Sequence, residues 1–328
     1  RFRTFWNELA YRESSTCAWH AFCIVILAMG HPLRMFEPDA VYEVTTRTIQ
    51  ARFLLRPSRE FNEAVIGVIG WGQELCPNIR LYAVDVQSNH MTWLLSSKKP
   101  DEISRFLGLV HARISKEVGW LHDWPGKTWE RRYRAIRVVD NEALKARLVY
   151  LLSQGTKDGL VASPYDLPGV NSVRALAEGV PLEGLWFERD QMRRTRSHSK
   201  HECARKVTVR FSKLPCWAHL KDSAYQARIQ KIIGRCEQDA REQQTRSRRR
   251  PLGPKAMRRI HPHHRPTHFA KSPAPICHAS RHSRREAYRK RYRAFCDAFR
   301  NAAELLKSGI RDALFPLYAF PPRLPVVT

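Results

Sequence analysis

Residues 81–97 read LYAVDVQSNHMTWLLSS, two apolar extended runs on either side of Ser88 and Asn89, and they decide how the chain folds. Runs 79–87 and 90–95 are short and rich in strand-forming residues, and a two-residue connection between them makes an antiparallel hairpin. His90 and Thr92 stand two apart in the second run, so their side chains share one face of the strand. A His-hydrophobe-His pair at that spacing can hold one divalent ion. Threonine in the second position leaves such a site either altered or lost.

The surrounding composition narrows the partner. The chain has 328 residues, enough for one or two domains, and 43% of them are hydrophobic, as in a globular protein. Lys and Arg number 57 against 31 Asp and Glu, a formal charge of +26 with a pI of about 10.3. That balance favours a polyanion, nucleic acid first, over an acidic small molecule. A membrane surface is the competing partner, but no apolar run reaches the roughly 18 residues needed to span a bilayer. The longest, 21–30 (AFCIVILAMG), has the length of a signal-peptide core without its basic start or cleavage site. Met35 opens the segment that reads as the domain's start, and residues 1–34 are expected to be an extension of doubtful structural role. Eight cysteines without a CxxC pair argue against a zinc ribbon and suit a reducing cytosol.

Working outward from the hairpin, 41–48 (VYEVTTRT) alternates and is β-branched, which predicts a strand. Ser58 caps a predicted helix to about residue 76, with Phe61, Val65, Val68, Ile69 and Leu75 apolar despite glycines at 67, 70 and 72. After the hairpin, a helix from Asp101 carries Ile103, Phe106, Leu107, Val110, Ile114 and Val118 at helical spacing. Tyr133, Ile136 and Val138 mark a fourth strand, and a helix follows over about 141–154. The order β-α-β-β-α-β-α predicts an α+β fold, a ferredoxin-like split antiparallel sheet with one added helix. The domain is expected over 35–165. The remainder, 166–328, is expected to be a basic, partly disordered region with helices near 222–242 and 284–307.

The added helix carries Leu144, Leu148, Leu151 and Leu152 within a narrow sector, and Tyr150 on the opposite side with Ala143, Ala146, Arg147 and Gln154. Gln154 follows Tyr150 by one turn, which sets an amide beside the phenol. Three segments in order then resemble the single-tyrosine transposases of the His-hydrophobe-His (HUH) superfamily, including those of insertion sequences and repetitive extragenic palindromes. NHMTWLL is similar to the family's N-H-hydrophobe-H-L-L strand. GKTWERRYRAI, through Trp129, Arg132 and Tyr133, is similar to G-H-x-W-x-x-R-Y. Tyr150 in LVYLLSQGTKDGLVASP resembles the tyrosine helix and the segment after it, with Gly159, Leu160, Val161 and Pro164 matching.

The resemblance implies a transposase-like, metal-dependent single-stranded DNA endonuclease and strand transferase. Tyr150 would be the nucleophile that forms a 5′-phosphotyrosine. His90 and Gln154 would be ligands of Mg²⁺ or Mn²⁺, with Thr92 at the degenerate ligand position. Trp129, Arg132, Tyr133, Arg147 and the run Arg248, Arg249, Arg250 would contact DNA, single-stranded or hairpin, in the cytoplasm. Gln154-Gly155 stands where the family has Asn-Pro. Because of Thr92, a second reading stays open: a catalytically degenerate hairpin-binding protein on the same fold. An RNA-binding module is a third. The residues do not say whether the protein is a monomer or a dimer. Trp129, Arg132 and Tyr133 could equally pack the fourth strand. The histidines at 261–268, and His198, His201 and Cys203, lack paired zinc spacing and read as an irregular arm.

Overall fold

The computed structural model describes residues 32–189, 203–267 and 274–322. Most of the expected extension, residues 1–31, and most of the basic stretch at 191–206, including His198 and His201, lie outside the described residues. The chain divides into two units, Phe36–Tyr292 and Arg1–Met35 with Arg293–Thr328. In the smaller unit, Phe299 meets Phe315 edge-on at 5.1 Å and the Arg34 guanidinium lies 5.9 Å from the Phe320 ring centre.

The larger unit is a mixed α+β structure. It begins with β1 (Tyr42–Arg47), α1 (Arg59–Leu75), β2 (Ile79–Gln87), β3 (His90–Ser97), α2 (Pro100–Leu121), β4 (Arg134–Val138) and α3 (Asn141–Lys157). It continues with α4 (Val173–Glu178), β5 (Leu182–Phe187), β6 (Ala204–Val209), α5 (Asp222–Ser247), α6 (Pro254–Arg259), β7 (Cys277–His278) and the start of α7 (His282–Lys307). The main sheet has the order β2-β3-β1-β4-β7. Its first four strands are antiparallel to their neighbours, and β7 joins β4 in parallel.

One face of the sheet takes α1 and α2. Ser58 accepts the Phe61 N–H at 3.1 Å and starts α1, as a cap should. Phe61, Val65, Val68 and Ile69 are buried, whereas Leu75, in the last turn, is 38% exposed. All six apolar residues read in α2 are fully buried. The glycines of α1 have a packing cause, because the β5–β6 pair crosses the helix there. A Cβ on Gly67 would stand 1.9 Å from the Leu185 carbonyl oxygen, and one on Gly70 would stand 2.9 Å from the Val207 side chain. Only a residue without a side chain lets strand and helix backbones approach so closely.

The other face takes α3, which begins where Asp140 accepts the Ala143 N–H at 2.8 Å. Leu144, Leu148, Leu151 and Leu152 form one core with Ala83 and Leu94 of the sheet and with Tyr225, Ile229 and Ile233 of α5. The helix expected near 222–242 thus packs against the tyrosine-bearing helix. Tyr225, Ile229, Ile233, Cys236 and Ala240 make one buried stripe along α5, too sparse among its charges to be read from composition. The histidine cluster is also docked: Arg52 donates to the His263 carbonyl at 2.6 Å, and the Phe53 N–H donates to the His264 carbonyl at 3.1 Å.

Candidate active site

The hairpin register builds the floor of the site. Asp85 pairs with Thr92 and Gln87 with His90 across β2 and β3, while Thr45 and Arg47 of β1 pair with Thr92 and His90 from the other side. Cross-strand partners project to the same face, so two polar rows, Asp85-Thr92-Thr45 and Gln87-His90-Arg47, lie beside each other. They share the face of Leu94, the face that α3 covers. β4 is parallel to β3, since each is antiparallel to β1, and α3 turns back from the end of β4. Its leucines therefore meet Leu94, and its last turns, with Gln154 and Asp158, lie toward the His90 end.

Burial sets the electrostatics of that floor. His90 is partly buried, and its Nδ1–H donates to Asn89 Oδ1 at 2.8 Å, which leaves Nε2 with the free lone pair. Desolvation, with Arg47 adding to it, lowers the His90 pKa to about 4, so the ring is neutral at pH 7. Asp85 is 2% exposed, and desolvation pushes its carboxyl up to about 7. Its Oδ2 accepts from Gln87 Nε2 at 2.7 Å, but its Oδ1 has no hydrogen-bond partner. Thr92 Oγ1 and Gln154 Oε1, on residues 1% and 5% exposed, are likewise unpartnered. An unsatisfied buried polar group costs about 1–3 kcal/mol. The four buried leucines of α3, worth about 2 kcal/mol each, can hold such a group in place.

Gln154 and Ala143, read on the same side of the helix as Tyr150, are both buried. α5 covers α3 from a second direction. Tyr150 itself is partly exposed, with the Arg147 guanidinium 4.1 Å and the Lys157 ammonium 5.5 Å from its ring centre. Arg147 is paired with Glu43 at 3.2 Å, which holds it between sheet and helix.

The predicted DNA-contact residues separate into two groups. Trp129 donates its indole N–H to the His111 carbonyl at 3.0 Å and packs on the His111 ring. Tyr133 is buried and its hydroxyl bonds Ser104 at 3.0 Å. Both rings pack toward α2, on the side of the sheet away from Tyr150, while Arg132 is exposed. Arg248, Arg249 and Arg250 come close to the tyrosine helix. Arg248 turns the chain in a left-handed conformation at the end of α5, and Leu252 and Gly253 then donate backbone hydrogen bonds to Gly159 and Leu160, in the loop after α3. Folding also brings in residues the sequence reading missed. These are Asp85, Gln87, Asp158 and Lys157 around the floor, and Arg47 and Arg134, which share its sheet face. An acid inside an otherwise apolar strand was the available signal for Asp85.

Among the described residues no three His, Cys, Asp or Glu side chains gather as a metal cluster, so a cation here needs amide or hydroxyl oxygens as well. No helix among them is long and apolar enough to cross a membrane. No protein-family model matches the chain, and no curated protein matches it. Among solved structures it is similar to a REP-associated tyrosine transposase bound to a REP hairpin, at 17% identity and a TM-score of 0.34, over 45% of this chain and 87% of that one. It is also similar to a candidate transposase from Deinococcus radiodurans R1, at 15% identity and a TM-score of 0.27, over 35% of this chain and 89% of that one.

Proposed function

We propose that the chain is a transposase-like, single-stranded DNA endonuclease and strand transferase, with Tyr150 as nucleophile and a divalent cation as its cofactor. The observation that carries the reading is the polar end of one sheet face, with His90, Thr92 and Asp85, beneath the helix that bears Tyr150 and Gln154. The strand order β2-β3-β1-β4 with antiparallel neighbours supports a ferredoxin-like HUH core. The arginines at 248–250 after α5, with Arg47 and Arg134 on the sheet, suit a phosphate backbone, single-stranded or hairpin. The free cysteines among the described residues suit a cytoplasmic protein.

In the proposed step the Tyr150 oxygen attacks the scissile phosphorus in line. A tyrosyl O–P bond forms as the P–O3′ bond breaks, the phenolic proton is lost, and the departing strand keeps a 3′-hydroxyl. The covalent intermediate retains the phosphodiester energy, so rejoining needs no nucleotide. His90 Nε2, Gln154 Oε1 and the Thr92 hydroxyl would hold the cation, and the buried Gln154 and Thr92 oxygens, which have no hydrogen-bond partner, fit that role. Bound there, Mg²⁺ or Mn²⁺ would neutralise phosphate charge and orient the scissile group. Arg147 and Lys157 keep positive charge beside the attacking ring.

The test is covalent capture. Single-stranded DNA carrying hairpins, with Mn²⁺, is expected to give an SDS-stable protein–DNA adduct that Tyr150→Phe abolishes. Absence of an adduct from a randomised hairpin library would sink the reading. Thr92 favours the second reading, a hairpin-binding protein without chemistry, because a neutral hydroxyl replaces an imidazole. Hairpin retention without an adduct, with nicking gained by Thr92→His, would establish it.

A further inference from the structure

The three unpartnered buried oxygens of the floor belong to Asp85, Thr92 and Gln154, and Asp85 has no part in the ligand set that the motif resemblance implies. We infer that Asp85 supplies the anionic ligand of the cation site, taking over from the imidazole missing at Thr92. The inference rests on the proposed metal-dependent reading of the same site.

Register brings Asp85 there. Asp85 and Thr92 are direct partners across the hairpin, so the carboxylate projects beside the hydroxyl that replaces the second histidine. The outer edge of β2 is closed by residues 169–172: the Val86 N–H donates to the Val170 carbonyl, and the Ser172 N–H to the Val84 carbonyl. Gly169 lies so close that a Cβ would stand 2.3 Å from the Val86 oxygen. Water is thereby kept from Asp85 on the edge side, and Gln87 orients the carboxylate by holding Oδ2 at 2.7 Å. Oδ1 remains buried without a hydrogen-bond partner.

The donor chemistry agrees. An imidazole pair with one amide is a largely neutral site, whereas a carboxylate, an amide oxygen and a hydroxyl form an oxygen set that hard divalent ions accept readily. The carboxylate also supplies the negative charge that Thr92 lacks. His90 Nε2, set by the Asn89 hydrogen bond, completes a mixed set of three oxygens and one nitrogen. An acid on β2 stands opposite the β3 position where the motif resemblance would place a histidine.

Mn²⁺ titrated into the full chain, and followed by loss of its free-ion EPR signal, tests the assignment. Asp85→Asn keeps the shape and the Gln87 contact but removes the charge, and it is expected to weaken Mn²⁺ binding at least tenfold. Adding Thr92→His to that variant is expected to restore binding, and metal-free thermal unfolding checks that each variant folds. Equal Mn²⁺ binding by Asp85→Asn and the parent, or no binding by the parent at millimolar Mn²⁺, overturns the inference. Tyr150→Phe is expected to bind Mn²⁺ as the parent does, which separates the two claims. Asp85-dependent binding without any DNA adduct would uphold the site and sink the nuclease reading; an adduct with Asp85-independent binding would do the reverse.

Discussion

The two faces of the main sheet treat buried polar groups differently. On the face under α1 and α2, His111 bonds Thr46 at 3.0 Å, Tyr133 bonds Ser104 at 3.0 Å, and Ser115 bonds Thr128 at 2.7 Å. Unpartnered groups on that side include the Trp93 indole nitrogen, and the His122 ring with Arg56 Nε beside it. On the face under α3, oxygens of Asp85 and Thr92 stand side by side without partners, and Gln154 brings another from above. Pairing buried polar groups is the rule in folded proteins, and concentrated exceptions mark places kept ready for something else. Both faces carry core packing, and the α3 face also keeps three buried oxygens without partners at some cost in stability.

The largest effect that would break this contrast comes from Gln154→Leu. If the amide is retained for function, the variant is expected to lower adduct formation at least 100-fold, about 3 kcal/mol of transition-state stabilisation, while leaving metal-free stability equal or higher. Adduct yields and thermal midpoints measured together decide it, and a less stable variant with full activity would contradict the contrast.

His111 gives the next effect, on the satisfied face. Desolvation lowers its pKa to about 3, below the ordinary value near 6.5. The native state therefore binds fewer protons than the unfolded chain between those values. Stability from the neutral ring is complete above about pH 6.5 and is lost as pH falls toward 3. His111→Gln keeps a polar group beside Thr46 and does not titrate. It is expected to cost about 1–2 kcal/mol at pH 7.5 and to narrow its deficit as the pH is lowered, read from urea unfolding at several pH values. A deficit that does not change with pH would show that the ring is not held neutral.

Thr92→Val is the smallest and most diagnostic change. Removing a hydroxyl that has a partner would cost about 1 kcal/mol; removing this one is expected to leave metal-free stability within about 0.5 kcal/mol of the parent. A clear destabilisation would mean that Thr92 is structural.

Much of this arrangement was legible along the chain. The Ser88-Asn89 turn, the NHMTWLL strand, the α2 periodicity and the four leucines of α3 are local patterns, and all appear where they were read. The hairpin even contained the Asp85–Thr92 pairing, because a two-residue loop makes the strands mirror each other about the turn. The docking of α5 on α3 was not legible. Nor was the β5–β6 pair, whose approach explains Gly67 and Gly70, nor the turn that brings the arginines at 248–250 beside the loop after α3. Those contacts join residues dozens of positions apart, and periodicity carries no information at that range.

The sequence by itself determined the elements, the register of the hairpin and the sharing of one strand face by His90 and Thr92, because backbone geometry ties these to spacing of a few residues. Only the tertiary structure decided which oxygens are buried without partners. Burial depends on what lies above and beside a strand: α3 and α5 over the floor, and residues 169–172 along its edge, exclude the water that would otherwise satisfy Asp85.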